Sequence, residues 1–79
     1  MIARELLDRI YILKNSYYME YLKEPSIVLL APWMVSLLRE EARWTNHFQH
    51  IQGEDIDTVF GIRAIESPKV NTMEEIEVY

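Results

Sequence analysis

Ser26-Ile27-Val28-Leu29-Leu30-Ala31-Pro32-Trp33-Met34-Val35-Ser36-Leu37-Leu38-Arg39-Glu40-Glu41-Ala42 reads as a strand running directly into a helix. Ile27–Leu30 is a continuous apolar run, β-branched in its first half. Its shortness and its closure by Pro32 suit a strand covered on both faces. Pro32 has no amide proton and a φ already near the helical value, so it fits a first helical turn. After it, Met34, Leu37, Leu38 and Ala42 recur at steps of three and four, with Arg39, Glu40, Glu41 and Arg43 on the other side. That spacing predicts an amphipathic helix over 32–43 behind a strand at 26–30. Ala31 is a poor capping residue, so packing is expected to hold the turn.

Upstream, Leu6, Ile10, Leu13, Tyr17 and Tyr21 step at helical spacing, and Leu7, Tyr11, Tyr18 and Leu22 form a second line beside them. A helix over 2–23 follows, with an apolar stripe wider than one flat contact requires. Pro25 stops it. The four tyrosines have two readings. They can cap a small core with their rings inside and hydroxyls wet, or form a protein-contact face, because aromatic residues concentrate at interface centres.

Downstream, Trp44, Phe48 and Ile51 step by four and three up to Gly53, which suits either a frayed continuation of the second helix or an irregular arm. His47 and His50 stand in an H-x-x-H spacing without cysteine or an intervening glutamate, and read as solvated loop residues rather than a metal site. From Asp57 the period shortens. A lead-in at 57–60 and a strand at about 61–66 are expected, with Gly61 marking a bulge or a close backbone approach. Ser67-Pro68-Lys69 is a break. Glu75-Ile76-Glu77-Val78-Tyr79 alternates strictly, as a half-exposed edge strand does. The fold expected is α/β, bordering on α+β. It is a single domain over 1–79 with a long N-terminal helix, a β-α-β unit, and a mixed sheet of three or four strands with two helices.

The 79 residues contain no cysteine, which removes disulfides and thiolate metal sites and suits a reducing compartment. Hydrophobic residues make up 49%. A chain this short has little interior to hide them, so a protein partner is expected, most simply a homo-oligomer. The net charge of −5 comes entirely from residues 54–79, with seven acidic and two basic side chains, whereas residues 1–53 balance at six of each. Direct nucleic-acid binding, which needs clustered Lys and Arg, is not expected. No apolar run is long enough to span a bilayer, so a soluble protein without membrane contact is expected.

No nucleophile–base set is evident. Ser16, Ser26, Ser36 and Ser67 lack a glycine elbow. The carboxylate pairs Glu40/Glu41, Glu54/Asp55 and Glu74/Glu75 are adjacent in sequence and point apart on regular structure. Two glycines do not build a phosphate cradle. The expectation is a non-enzyme with no catalytic residue, cofactor or metal. Its candidate interface is Tyr11, Tyr17, Tyr18, Tyr21, Trp33, Trp44 and Phe48, beside an acidic surface at Glu74, Glu75 and Glu77.

The order Pro25-Ser26-Ile27-Val28-Leu29-Leu30-Ala31-Pro32-Trp33, an amphipathic helix, Val59-Phe60-Gly61-Ile62-Arg63-Ala64-Ile65 and then Glu75-Ile76-Glu77-Val78 resembles a segment of tailed-phage major capsid proteins. That segment lies near the end of their axial domain, and the likeness covers residues 25–79. The chain lacks the spine helix, extended loop and peripheral domain of a shell subunit. The resemblance therefore implies a phage setting, in virion or host cytoplasm, and a segment serving protein contacts. An oligomeric assembly or accessory component is the first reading of function. The second is an acidic inhibitor of a host or defence protein, acting by nucleic-acid mimicry through the C-terminal acids.

Overall fold

A computed structural model describes residues 2–41, 47–51, 53, 54 and 56–79. The chain forms α1 (Ile2–Tyr21), β1 (Ile27–Leu30), α2 (Pro32–Glu41), β2 (Phe48–Ile51), β3 (Ile56–Val59), β4 (Ile62–Glu66) and β5 (Glu77–Val78), with a 3₁₀ turn at Met73–Glu75. The strands make one mixed five-stranded sheet in the order β2-β3-β4-β1-β5. It is an α+β fold, with more strands than the sequence pattern displays. β1 and β4 are parallel, joined through α2 and the β2–β3 hairpin, and the other pairings are antiparallel.

The junction at Ala31 forms as its residues require. Ala31 is buried and its carbonyl accepts from Met34 N (3.0 Å) and Val35 N (3.2 Å), so packing and backbone bonds start α2 without a side-chain cap. Register then sorts the strands into two faces. Val28, Leu30, Val59, Ile62 and Phe48 share one face and are buried together with Leu6 and Ile10 of α1 and Met34, Val35 and Leu38 of α2. The helices touch each other over this core. Ile27, Leu29, Ile56 and Ile65 point the other way and stay half-buried, so β1 is roofed on one side rather than on both.

Two expectations about the C-terminal half change. Phe48–Ile51 is neither helix nor arm but an edge strand. Residues 75–79 are not one strand. Glu75 closes a 3₁₀ turn by accepting from Asn71 N (3.2 Å), Thr72 N (3.0 Å) and Thr72 Oγ1 (3.2 Å), and only Glu77–Val78 and the Tyr79 backbone pair with β1.

Two non-glycine residues adopt left-handed backbone. Phe60 (φ 52°) and Gly61 (φ 79°) form the two-residue turn between β3 and β4, the type I′ pattern that matches strand twist. Space around the Gly61 Cα is open, so its glycine answers the turn and not a bulge or a close approach. The Phe60 ring is anchored between Tyr11 (centroids 5.6 Å apart) and His47 (4.8 Å). Leu22 (φ 57°) ends α1, its N–H donating to Tyr18 O at 2.7 Å, with its side chain 79% exposed. A left-handed leucine carries backbone strain that glycine does not. Leu22→Gly is therefore expected to raise unfolding free energy by about 0.5–1 kcal/mol, read from the urea midpoint. A loss of stability would show that the Leu22 side chain holds the fold.

Candidate interaction surface

α1 is about 30 Å long at 1.5 Å per residue, close to the 32 Å longest dimension of the molecule. Its fully buried residues, Ala3, Leu6 and Ile10, lie in its first half. Leu13 and Tyr17 are half-buried, and Tyr17 leans on Tyr21 with ring centroids 4.6 Å apart. These rings, with Leu13, Val78 and Tyr79, line a cleft of about 390 Å³ between α1 and β5. The outward side of the helix is also apolar: Tyr11, Ile12, Tyr18 and Met19 are exposed, Met19 at 77%, and Leu22 continues the stripe. Contiguous apolar surface on a small domain marks a contact site more often than scattered single residues do.

The predicted interface residues separate accordingly. Tyr11, Tyr18 and Tyr21 are exposed on α1, and Tyr17 is half-buried between the core and the cleft. Trp33 is exposed at the start of α2, but its Nε1–H donates to Asn71 O at 3.0 Å and ties down the segment after β4. Trp44 lies outside the described residues. Phe48 is a correction: it is 2% exposed, because its place on β2 opposite Val59 turns it into the core. Ile12 and Met19 were not anticipated. Their spacing of seven puts them on one line, on the side away from Leu6 and Ile10.

Among the acids, Glu75 is occupied by the Thr72 turn, and Glu77 accepts the Tyr79 hydroxyl. The Glu77 carboxylate pushes the Tyr79 pKa above its ordinary value. Glu74 is exposed.

No protein-family model matches the chain, and no curated protein or solved structure matches it either. No helix among the described residues is long and apolar enough to cross a membrane.

The second group of interest is charged. Asp57 on β3 faces the core side and is the buried charged residue among the described residues, at 6% exposure. Arg39 of α2 donates Nε–H to Oδ1 (3.1 Å) and Nη2–H to Oδ2 (2.6 Å). His50, directly opposite on β2, brings Nδ1 to 2.6 Å from Oδ1. His50 is thus a strand residue bonded to a carboxylate and not a solvated loop histidine. The pair orients the imidazole, while the two-point Arg39 contact clamps the end of α2 to the β2–β3 hairpin.

Burial alone would raise the Asp57 pKa. Hydrogen bonds from Arg39 and His50, and the charges of both, outweigh it and hold the carboxyl below its ordinary value of 3.8. A depressed carboxyl pKa adds stability that is complete above the unfolded value and is lost as pH falls through the folded one. Urea midpoints from pH 7 to pH 2.5 are expected to drop steeply below about pH 4 in the wild type. Asp57→Asn is expected to cost about 2 kcal/mol at pH 7, because Arg39 loses its buried counter-charge, and to fall less on acidification. Equal acid slopes in the two proteins would contradict the clamp.

Proposed function

We propose that the chain works by binding another protein through the outward face of α1, as an oligomeric assembly or accessory component rather than as a catalyst. The observation that carries this reading is the distribution of exposed large apolar side chains. Among the described residues, Ile2, Tyr11, Ile12, Tyr18, Met19 and Tyr21 lie on α1, with Tyr11, Ile12, Tyr18 and Met19 on its outward side, and Leu22 follows it, against Trp33, Ile51 and Tyr79 elsewhere. The strain at Leu22 adds support, since a left-handed residue with an exposed apolar side chain is costly for an isolated fold and useful at a contact. The phage setting, with the protein in virion or host cytoplasm, draws on the capsid-segment cadence of residues 25–79.

The acidic-inhibitor reading has less support. Glu75 and Glu77 direct carboxylate oxygens into hydrogen bonds with their own chain, which weakens them as a mimic of a phosphate row.

A photo-crosslinking amino acid placed at Met19, in cells that make the protein, is expected to give a discrete protein adduct. The same group at Glu74 is expected to give none. The absence of any adduct from Met19 would overturn the reading.

A further inference from the structure

β5 is an edge strand whose outer main chain is unused. Ile27 and Tyr79 exchange both of their backbone bonds, Ile27 N to Tyr79 O at 3.0 Å and Tyr79 N to Ile27 O at 2.9 Å. In an antiparallel ladder such pairs alternate with pairs that exchange none. Val28 and Val78, the next pair along, are of the second kind. The Val78 N–H and C=O therefore point away from β1, off the edge of the sheet. Neither group has a hydrogen-bond partner among the described residues.

The cleft of about 390 Å³ beneath α1 opens beside this edge, and Val78 belongs to both. Leu13, Tyr17 and Tyr21 give it apolar and aromatic walls, and Glu20 is the acid in its lining. Glu20 is exposed and makes no ion pair among the described residues. Lys14 is held by Glu24 at 2.9 Å, and Lys23 lies past the turn at Leu22. Arg9 is three turns down the helix, about 16 Å away.

We infer that β5 takes an extended segment of another protein as a sixth, antiparallel strand, with a lysine or arginine opposite Val78. That residue exchanges both main-chain bonds with Val78. Its side chain stands beside the Val78 side chain on the same face of the sheet, which is the face the cleft occupies. An aliphatic stem lies along Leu13 and the rings of Tyr17 and Tyr21, and the cation reaches the Glu20 carboxylate. Charge selects this occupant. Residues 54–79 carry seven acidic and two basic side chains, so a basic segment is drawn to this end of the molecule. A second β5 fits poorly, because it would set valine against valine, leave the cleft without a long side chain and bring two such acidic regions together. The site lies on the flank of α1, apart from its outward face, and does not depend on contacts made there.

The probe is a capped nine-residue peptide, Ser-Thr-Val-Thr-Arg-Thr-Val-Thr-Ser, titrated to about 2 mM, the range suited to so small a contact, into the isotope-labelled intact chain. The amide signals of Val78, Tyr17, Glu20 and Tyr21 are expected to shift together, while Gln49 on the opposite sheet edge stays fixed. Replacing the central arginine by glutamate is expected to weaken binding at least tenfold, as is methylating its backbone nitrogen, which removes the bond to the Val78 carbonyl. Glu20→Lys, at an exposed position, is expected to weaken the arginine peptide three- to tenfold and to improve binding of the glutamate peptide. Spectra of the free variant show that it is folded. No shift at Val78 with the arginine peptide, equal binding of the glutamate or the methylated peptide, or indifference to Glu20→Lys would overturn the inference. The Met19 crosslink reads the other face of α1, so either result can fail without the other.

Discussion

Both helices lie on one side of the sheet, and this constraint governs the molecule. Val28, Leu30, Val59, Ile62 and Phe48 face that side, and Leu6, Ile10, Met34, Val35 and Leu38 close over them. A helix lying on a sheet buries one stripe, about a third of its circumference. α1 carries apolar residues around far more than that, and its second half has no fully buried side chain. The core is therefore satisfied by the first half of α1, and the outward stripe from Tyr11 to Leu22 is left over from folding. The half-buried Ile27, Leu29, Ile56 and Ile65 on the opposite sheet face are the other apolar surface. They are flanked by neighbouring strands and protrude less than Met19 and Leu22 do.

Apolar packing fixes the middle of the sheet, but a charge fixes its β2 edge. β2 contributes one buried side chain, Phe48, and its other residues are exposed. Besides Phe48, Asp57 ties this hairpin to α2, held by Arg39 of α2 and by His50 across the strand pair. A buried carboxylate held by an arginine and a histidine is a weak source of net stability but a strong source of specificity, because the slipped hairpin would leave the charge unpaired. Asp57 thus sets the register that places Phe48 inside and Gln49 outside.

The sequence shows the parts of the fold whose side chains obey one rule at a time. Ile27–Leu30, the helix behind Pro32, the strand after Gly61 and the pairing of Glu77 and Val78 are readable because apolar spacing and chain breakers agree there. β2 and β3 are hidden for physical reasons. As an edge strand with one core-facing side chain, β2 has no alternation to display, and Trp44, Phe48 and Ile51 mimic helical spacing. In β3 the core-facing position next to Val59 is an aspartate, which breaks the period. Its partner Arg39 is 18 residues away, a distance that no local pattern encodes. The tyrosine face was legible as an excess of apolar stripe. Which rings point outward was not, because that depends on where the sheet ends beneath α1.

The most direct measurement is a dilution series of amide nitrogen–proton NMR spectra on the intact chain. Shifts and broadening that grow with concentration and fall on Tyr11, Asn15, Tyr18, Met19 and Leu22, while Ile27, Ile56 and Ile65 stay fixed, are what the account predicts. Spectra unchanged with concentration, or changes centred on the open face of the sheet, would contradict it.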